Sequence, residues 1–403
     1  MNTAYKYYCR AFQTGMRLAL PILPYRSPRL LKSVSQVPGY IREQAPGRTM
    51  IITDKGCEAA GLLAMLTAVL VRAGQDYTVF DETVANPTTD IVEKARRLYI
   101  KQGCRSLIGL GGGSSMDCAK AVGARIARPD KQLGQMSGIL KVGKKIPCLI
   151  SIPTTAGTGS EATLAAVITD SQTRHKYAIN DFPLIPSAAV LDPQLTRTLP
   201  KSLTATTGMD ALTHAVEAYI GRSTTGQTRA WAVKAVRLIF ANILQAYNDG
   251  DDMKARACML HAAFYAGESF SQSYVGYVHA VAHSLGGQYD IAHGLANAVL
   301  LPIVLEAYDS TVWKKLHELA AAAGISSWQD SDARGAEKFI AAIRSLNQAM
   351  NIPDTLPGIR EQDIPMLARY AAREANPLYP VPVLWDAQQL ERFYYAVMEG
   401  DRS

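Results

Sequence analysis

From residue 49 onward the chain alternates short β-rich apolar runs with stretches of helical periodicity. The first run is Thr49-Met50-Ile51-Ile52-Thr53, and a Leu-rich helical segment over residues 59–73 follows it. Further runs at 77–80, 105–110, 147–152, 165–169 and 188–191 are separated by helical stretches or Pro/Gly-rich turns. Near-continuous apolar strands alternating with helices predict a mostly parallel, Rossmann-like sheet covered on both faces. Beyond Pro200 the strand pattern stops. Helices are predicted over 230–247, 254–270, 311–323 and 335–350, with loops at Asn248-Asp249-Gly250 and Asn351-Ile352-Pro353. The expected organisation is an amino-terminal extension over 1–23, an α/β domain over 24–200 and an all-helical domain over 201–403, with no internal repeat.

Composition narrows the class. The 403 residues are 48% hydrophobic and 19% charged, enough to bury the cores of about two domains, and no apolar run reaches the ~18 residues of a membrane span. The net charge of +7 suggests nucleic-acid binding until its position is examined. Lys6, Arg10, Arg17, Arg26, Arg29, Lys32 and Arg42 lie in the first 42 residues, which hold no Asp or Glu, leaving 35 basic against 35 acidic residues elsewhere. The body is formally neutral, so neither nucleic acid nor membrane is an expected partner. The basic stretch reads first as a solvated or subunit-covering arm. As a transit peptide it would carry an amphipathic helix interrupted by Pro21, Pro24 and Pro28. Six dispersed cysteines without a C-x-x-C pair fit a reducing, cytoplasmic setting better than a disulfide framework or a cysteine zinc site.

Two loops carry candidate cofactor chemistry. Gly109-Leu110-Gly111-Gly112-Gly113-Ser114-Ser115-Met116-Asp117 follows an apolar run, so bare backbone N–H groups and a helix N-terminus can meet a phosphate there. Ser114 and Asp117 spell a capping-box start for that helix. The strict G-x-G-x-x-G pattern fails because Ser114 occupies the last glycine position, and a tight turn without ligand is the alternative. Pro153-Thr154-Thr155-Ala156-Gly157-Thr158-Gly159-Ser160-Glu161 follows another run and offers hydroxyls and amides at the same expected sheet edge. A long phosphate-bearing cofactor can span both loops. Asp54, ending the first strand, can accept hydrogen bonds from a ribose and repel an extra phosphate, or can simply form a turn. It precedes the glycine loop, whereas the usual fingerprint places the acid about 20 residues after it, so standard Rossmann connectivity is not expected.

The helical half holds the most specific signal. Asp210 and His214 are four apart, as are His279 and His283, and His293 follows ten residues later, past the glycines Gly286-Gly287, which are read as helix breakers. Residues i and i+4 on a helix stand one above the other, so each pair can present two groups to one point. The combination predicts a metal centre, and neutral imidazoles with one carboxylate suit Fe(II) or Zn. His175, His261 and His317 lack such partners and are read as surface or packing residues.

The motifs Gly-Gly-Gly-Ser-x-x-Asp-x-x-Lys, Pro-Thr-Thr-Ala-Gly-Thr-Gly-Ser-Glu, Gly-Met-Asp-Ala-Leu-Thr-His-Ala-x-Glu and His-Ala-x-Ala-His-x-Leu-Gly-Gly occur in this order. Together they resemble the iron-containing (group III) alcohol dehydrogenase family, from about Pro24 to near Glu391. The resemblance implies metal ligation by Asp210, His214, His279 and His293, with His283 as a further histidine beside the nicotinamide. It also implies that Asp54 favours NAD over NADP, that Gly111, Gly112, Gly113, Ser114 and Asp117 belong to the pyrophosphate loop, and that Thr154, Thr155 and Thr158 form the second cofactor loop. Lys176 matches a lysine near the nicotinamide ribose. The implied architecture is that shared with dehydroquinate synthase, with cofactor and metal between the halves and a dimer or larger homo-oligomer as the assembly. Departures concern the substrate: Gln272 and Tyr274 stand where many relatives have Asn and Gly, and Glu268 lies nearby.

The expected reaction is alcohol/aldehyde interconversion on a short-chain alcohol or diol. A divalent metal acidifies the alcohol, NAD takes the hydride and His283 carries the proton or supports the site by packing. A lyase or cyclase of the dehydroquinate-synthase type, an aldehyde reductase working in the reverse direction, and a non-catalytic metal-binding protein are the alternatives.

Overall fold

The computed structural model describes residues 1–173 and 175–399, and the chain divides into two compact units. One is Pro24–Leu199; the other joins Met1–Leu23 to Pro200–Ser403. The last four residues of the expected helical domain lie outside the described residues.

Among the described residues of the first unit, nine strands form: β1 Arg29–Leu31, β2 Thr49–Ile52, β3 Tyr77–Phe80, β4 Ser106–Gly111, β5 Gly138–Ile139, β6 Cys148–Pro153, β7 Ala165–Thr169, β8 Lys176–Asn180 and β9 Ala188–Val190. Six pair in the order β1-β9-β6-β4-β2-β3, every pairing parallel. Successive strand residues face opposite sides of the sheet. Met50, Ile52, Leu107 and Leu149 enter one buried cluster, and Ile51, Ile108 and Ile150 the other. Both faces are therefore dry, which explains runs too apolar to show alternation. One expectation is corrected: residues 165–169 leave this sheet and pair antiparallel with β8, in a three-stranded sheet ordered β5-β8-β7.

The strand order also explains the unusual position of Asp54. From β2 onward the main sheet runs second-first-third-fourth, the flavodoxin-like doubly wound order, whose reversal point lies between β2 and β4. Ligands of such sheets bind beyond the carboxyl ends at that point. Asp54 follows β2 and the glycine loop ends β4, so an acid that precedes the loop in sequence still meets it in space.

The second unit is helical. Its central helix, Lys201–Ile220, is buried at every position from Gly208 to Ile220, with helices Gly226–Asn248, Met253–Ser273 and His293–Tyr308 against it. Helix Tyr277–Tyr289 runs straight through Gly286 and Gly287, contrary to their reading as breakers, and ends at Asp290 in the left-handed region at φ 54°. Glycine lowers helix propensity by only about 1 kcal/mol, which burial of Tyr277, Val281 and Leu285 overrides.

The basic extension is not a free arm. It forms helix Thr3–Ala19, whose Arg10 donates to the carbonyls of Val381 (2.7 Å) and Pro382 (2.8 Å). Gln13, itself buried, donates to the carbonyls of Tyr379 (2.7 Å) and Pro377 (3.2 Å), and the amino terminus pairs with Asp386. Among the described residues no helix is long and apolar enough to cross a membrane.

Candidate active site

Asp210, His214, His279 and His293 each turn one ligand atom to a common point, all within 4.8 Å of one another. Three helices supply them: Asp210 and His214 from one turn of Lys201–Ile220, His279 from the first turn of Tyr277–Tyr289, and His293 as the first residue of His293–Tyr308. The last helix approaches the first closely at Gly294, where a Cβ would stand 2.4 Å from the Thr206 carbonyl oxygen. Only glycine allows that crossing, and the crossing delivers His293 to Asp210.

The donors match an ion. Asp210 Oδ1 is 3.5 Å from His293 Nε2 and 3.8 Å from His279 Nε2, and Asp210 Oδ2 is 3.9 Å from His214 Nδ1. Atoms bound at about 2.1 Å in a tetrahedron lie about 3.4 Å apart, so a small contraction around a divalent cation closes the set. His279 Nε2 is buried without a hydrogen-bond partner, a costly arrangement that a bound cation relieves. Burial, reinforced by the neighbouring histidines, holds the His279 imidazole well below its usual pKa, so the ring is neutral and competent to ligate.

Residues that sequence reasoning did not assign surround this set. Glu217 lies one turn beyond His214 and accepts from the Gly276 and Val278 amides at 2.8 Å each, while His279 Nδ1 lies 2.6 Å away. Burial pushes its carboxyl up to about 7, against the pull of these amides. Asn297, one turn after His293, donates to Asp210 Oδ1 at 2.7 Å and lies 3.1 Å from His293 Nε2. Both sit at i+3 or i+4 from a ligand, a spacing that marks them once the ligands are known. Phe270 stacks on His214 with centroids 4.1 Å apart. Tyr277, by contrast, is core: its hydroxyl is held by Asn376 and by the Trp385 backbone.

In the α/β unit the two loops lie side by side. A Cβ on Gly113 would be 3.0 Å from Thr158 Cγ2, one on Gly112 would be 3.7 Å from Thr155 Oγ1, and Thr154 N donates to the Gly111 carbonyl at 3.0 Å. Gly111 adopts φ 147°, and a side chain there would strike Ser115 and Asp54 within 3 Å. Ser115, which sequence reasoning passed over, donates to Asp54 Oδ2 at 2.8 Å; Asp54 Oδ1 caps the following helix at Cys57 N. The capping box is corrected: helix Gly113–Ala127 has Gly112 as N-cap without a side-chain cap bond. Asp117 instead accepts from Ser160 Oγ (2.7 Å) and Val167 N (3.0 Å), because its helix packs against β7 and the turn Ser160–Ala162, which offer it partners. Lys120, fully buried and pushed down to about 8 by burial, reaches Ser160, Thr163 and the Ala165 carbonyl, so helix and second loop are tied together. Lys176 is exposed and donates to Asn86 at 2.8 Å. His317 has structural partners after all, Asp332 and the Ser327 carbonyl.

Comparison with known proteins agrees with this arrangement. Residues 31–193 match the family model described as iron-containing alcohol dehydrogenase, and residues 204–398 match that of the Fe-containing alcohol dehydrogenase family, C-terminal. The chain is 38% identical to 1,3-propanediol dehydrogenase of Klebsiella pneumoniae over 333 residues, 82% of this chain and 86% of that protein. It is 37% identical to alcohol dehydrogenase 4 of Saccharomyces cerevisiae (strain YJM789), over 85% of this chain and 89% of the other. A crystal structure of 1,3-propanediol oxidoreductase superposes with a TM-score of 0.89 at 34% identity, covering 93% of this chain and 99% of that one. With family matches in both units and four metal-competent side chains gathered on three helices, the chain belongs to the iron-containing alcohol dehydrogenase family.

Proposed function

We propose that this protein interconverts a short-chain alcohol or diol with its aldehyde, using NAD and a divalent metal, Fe(II) before Zn. The observation that carries the reading is the convergence of Asp210, His214, His279 and His293 in a chain of this family. When bound, the metal supplies Lewis-acid polarisation and NAD the hydride acceptor or donor. The chain's own residues do the rest. Asp210 and the three imidazoles hold the cation, with Glu217 and Asn297 orienting His279, His293 and Asp210. Gly111, Gly112, Gly113 and Ser114, with Thr154, Thr155 and Thr158, receive the pyrophosphate; Asp54 accepts from the adenosine ribose and disfavours an added phosphate; Lys176 reaches the other ribose. Asp117 serves by tethering the second loop. His283 takes or returns the alcohol proton at a ring nitrogen.

Relatives support both directions. An NAD-dependent methanol dehydrogenase of Bacillus methanolicus is 33% identical, and a lactaldehyde reductase of Escherichia coli K12 is 34% identical. Six cysteines outside any disulfide support a cytoplasmic setting, and we take a homodimer or larger homo-oligomer as the assembly. The test is NADH formation by metal-stripped protein reloaded anaerobically with Fe(II) or Zn(II), across linear alcohols, diols and polyols. Turnover that Asp210→Ala abolishes is expected; absence of turnover with both metal and NAD bound overturns the reading and directs attention to lyase chemistry.

A further inference from the structure

His283 stands outside the four-ligand set, yet its ring stacks on that of His293 with centroids 5.0 Å apart and planes 17° from parallel. Its Nδ1 lies 2.6 Å from Glu374 Oε1, and the same oxygen accepts from the Tyr379 hydroxyl at 2.7 Å. Glu374 comes from the end of helix Ile364–Ala375 and Tyr379 from the segment after it, both remote in sequence from His283. Partial burial pulls the Glu374 carboxyl upward, but His283 and Tyr379 facing it outweigh this and leave it below the ordinary carboxylate range. Burial and the adjacent carboxylate keep Tyr379 protonated, so it remains a donor.

A carboxylate has only acceptor oxygens. The imidazole nitrogen facing it must therefore carry a proton, and in the neutral ring Nε2 is left with the lone pair. The other tautomer, with the proton on Nε2, would set the Nδ1 lone pair against the carboxylate and lose the bond. The supporting segment is itself anchored. Tyr379 and Pro377 give their carbonyls to Gln13, Val381 and Pro382 give theirs to Arg10, and Asn376 is held by Tyr277. None of these contacts belongs to the metal ligands or the cofactor loops.

We propose that Glu374, steadied by Tyr379, is the positioning residue for His283, selecting the tautomer with Nδ1–H and presenting Nε2 as the acceptor beside the metal centre. The inference rests on the reading of His283 as the residue that handles the alcohol proton. Glu374 touches no reacting atom and acts only through the imidazole, so its effect must vanish when the imidazole is gone.

A double-mutant cycle on the full-length, metal-loaded enzyme tests this. Glu374→Ala and His283→Ala are each expected to lower kcat by about 10- to 100-fold, the usual size of such outer contacts, with metal content and the KM for NAD unchanged. In the His283→Ala background, Glu374→Ala should cost nothing more. Tyr379→Phe keeps the ring's bulk and is expected to lose a few-fold in kcat, again only while His283 is present. An equal loss in both backgrounds, or no loss from Glu374→Ala or Tyr379→Phe in the native background, overturns the inference while leaving the dehydrogenase reading intact. If His283→Ala turns over like the native enzyme, the role of His283 falls and the inference falls with it. If Glu374→Ala fails to fold, the Tyr379→Phe arm decides alone.

Discussion

His279 places Nδ1 2.6 Å from the buried carboxylate of Glu217, which leaves Nε2 as the nitrogen turned toward Asp210. One side chain thereby settles which end of the imidazole is left to face a metal. Glu217→Ala removes that acceptor and strands the Gly276 and Val278 amides, so metal affinity should fall about 10- to 100-fold. Competition against a chromophoric chelator measures it; unchanged affinity would remove Glu217 from the metal centre.

The same carboxyl should make metal binding pH-dependent. Burial raises its folded pKa from 4.5 to about 7. In metal-free protein the folded state therefore binds this proton more tightly than the unfolded chain does. That contribution to stability is complete below about 4.5 and is lost as pH rises through about 7. Metal binding needs the carboxylate and neutral imidazoles, so it runs the other way. The rise in Tm on adding Zn(II) should grow between about pH 5.5 and 8, and Glu217→Gln should flatten part of that growth; a shift independent of pH would contradict it.

Cofactor choice should turn on Asp54. Replacing it with Asn removes a charge that opposes a 2′-phosphate, and the kcat/KM ratio of NAD to NADP is expected to fall at least about tenfold, or about 1.4 kcal/mol. Gly111→Ala is the companion variant: its Cβ would lie within 2.9 Å of Ser115 and Asp54. It should lose NAD binding by calorimetry and keep its metal. An unaltered NAD Kd would show that the loop tolerates the side chain and does not form the pyrophosphate site.

The amino-terminal helix should stabilise the helical unit. Arg10 and Gln13 together satisfy four carbonyls of the 377–382 segment. Replacing both with Ala is expected to lower Tm by about 8 to 16 °C, taking about 1 kcal/mol per lost bond and about 2–4 °C per kcal/mol. Amide exchange should rise within residues 376–386. Exchange unchanged there would mean the helix is dispensable to that segment.

Much of the architecture was legible because it is written in local periodicity. The apolar runs of the sheet, the turn to helices near residue 200 and the i, i+4 pairs of Asp210 with His214 and His279 with His283 each require only the geometry of one element. The four donors meet, yet their meeting depends on Gly294, whose missing side chain lets two helices touch. Where tertiary burial overrides propensity, local reading failed: Gly286 and Gly287 stay helical, Asp117 turns to Ser160 and Val167 in place of capping, and β7 folds into a hairpin away from the main sheet.

The fold class and the residue types gathered at the candidate metal site were legible in the sequence, since residue chemistry and repeat spacing are properties of neighbouring positions. Only tertiary packing brings Asp54 to the glycine loop through Ser115, pairs His283 with Glu374, and docks the basic amino terminus on its own chain. Each of these joins residues about 60 to more than 360 positions apart. No local pattern encodes such contacts, because they form only when the packing of whole elements brings the side chains together.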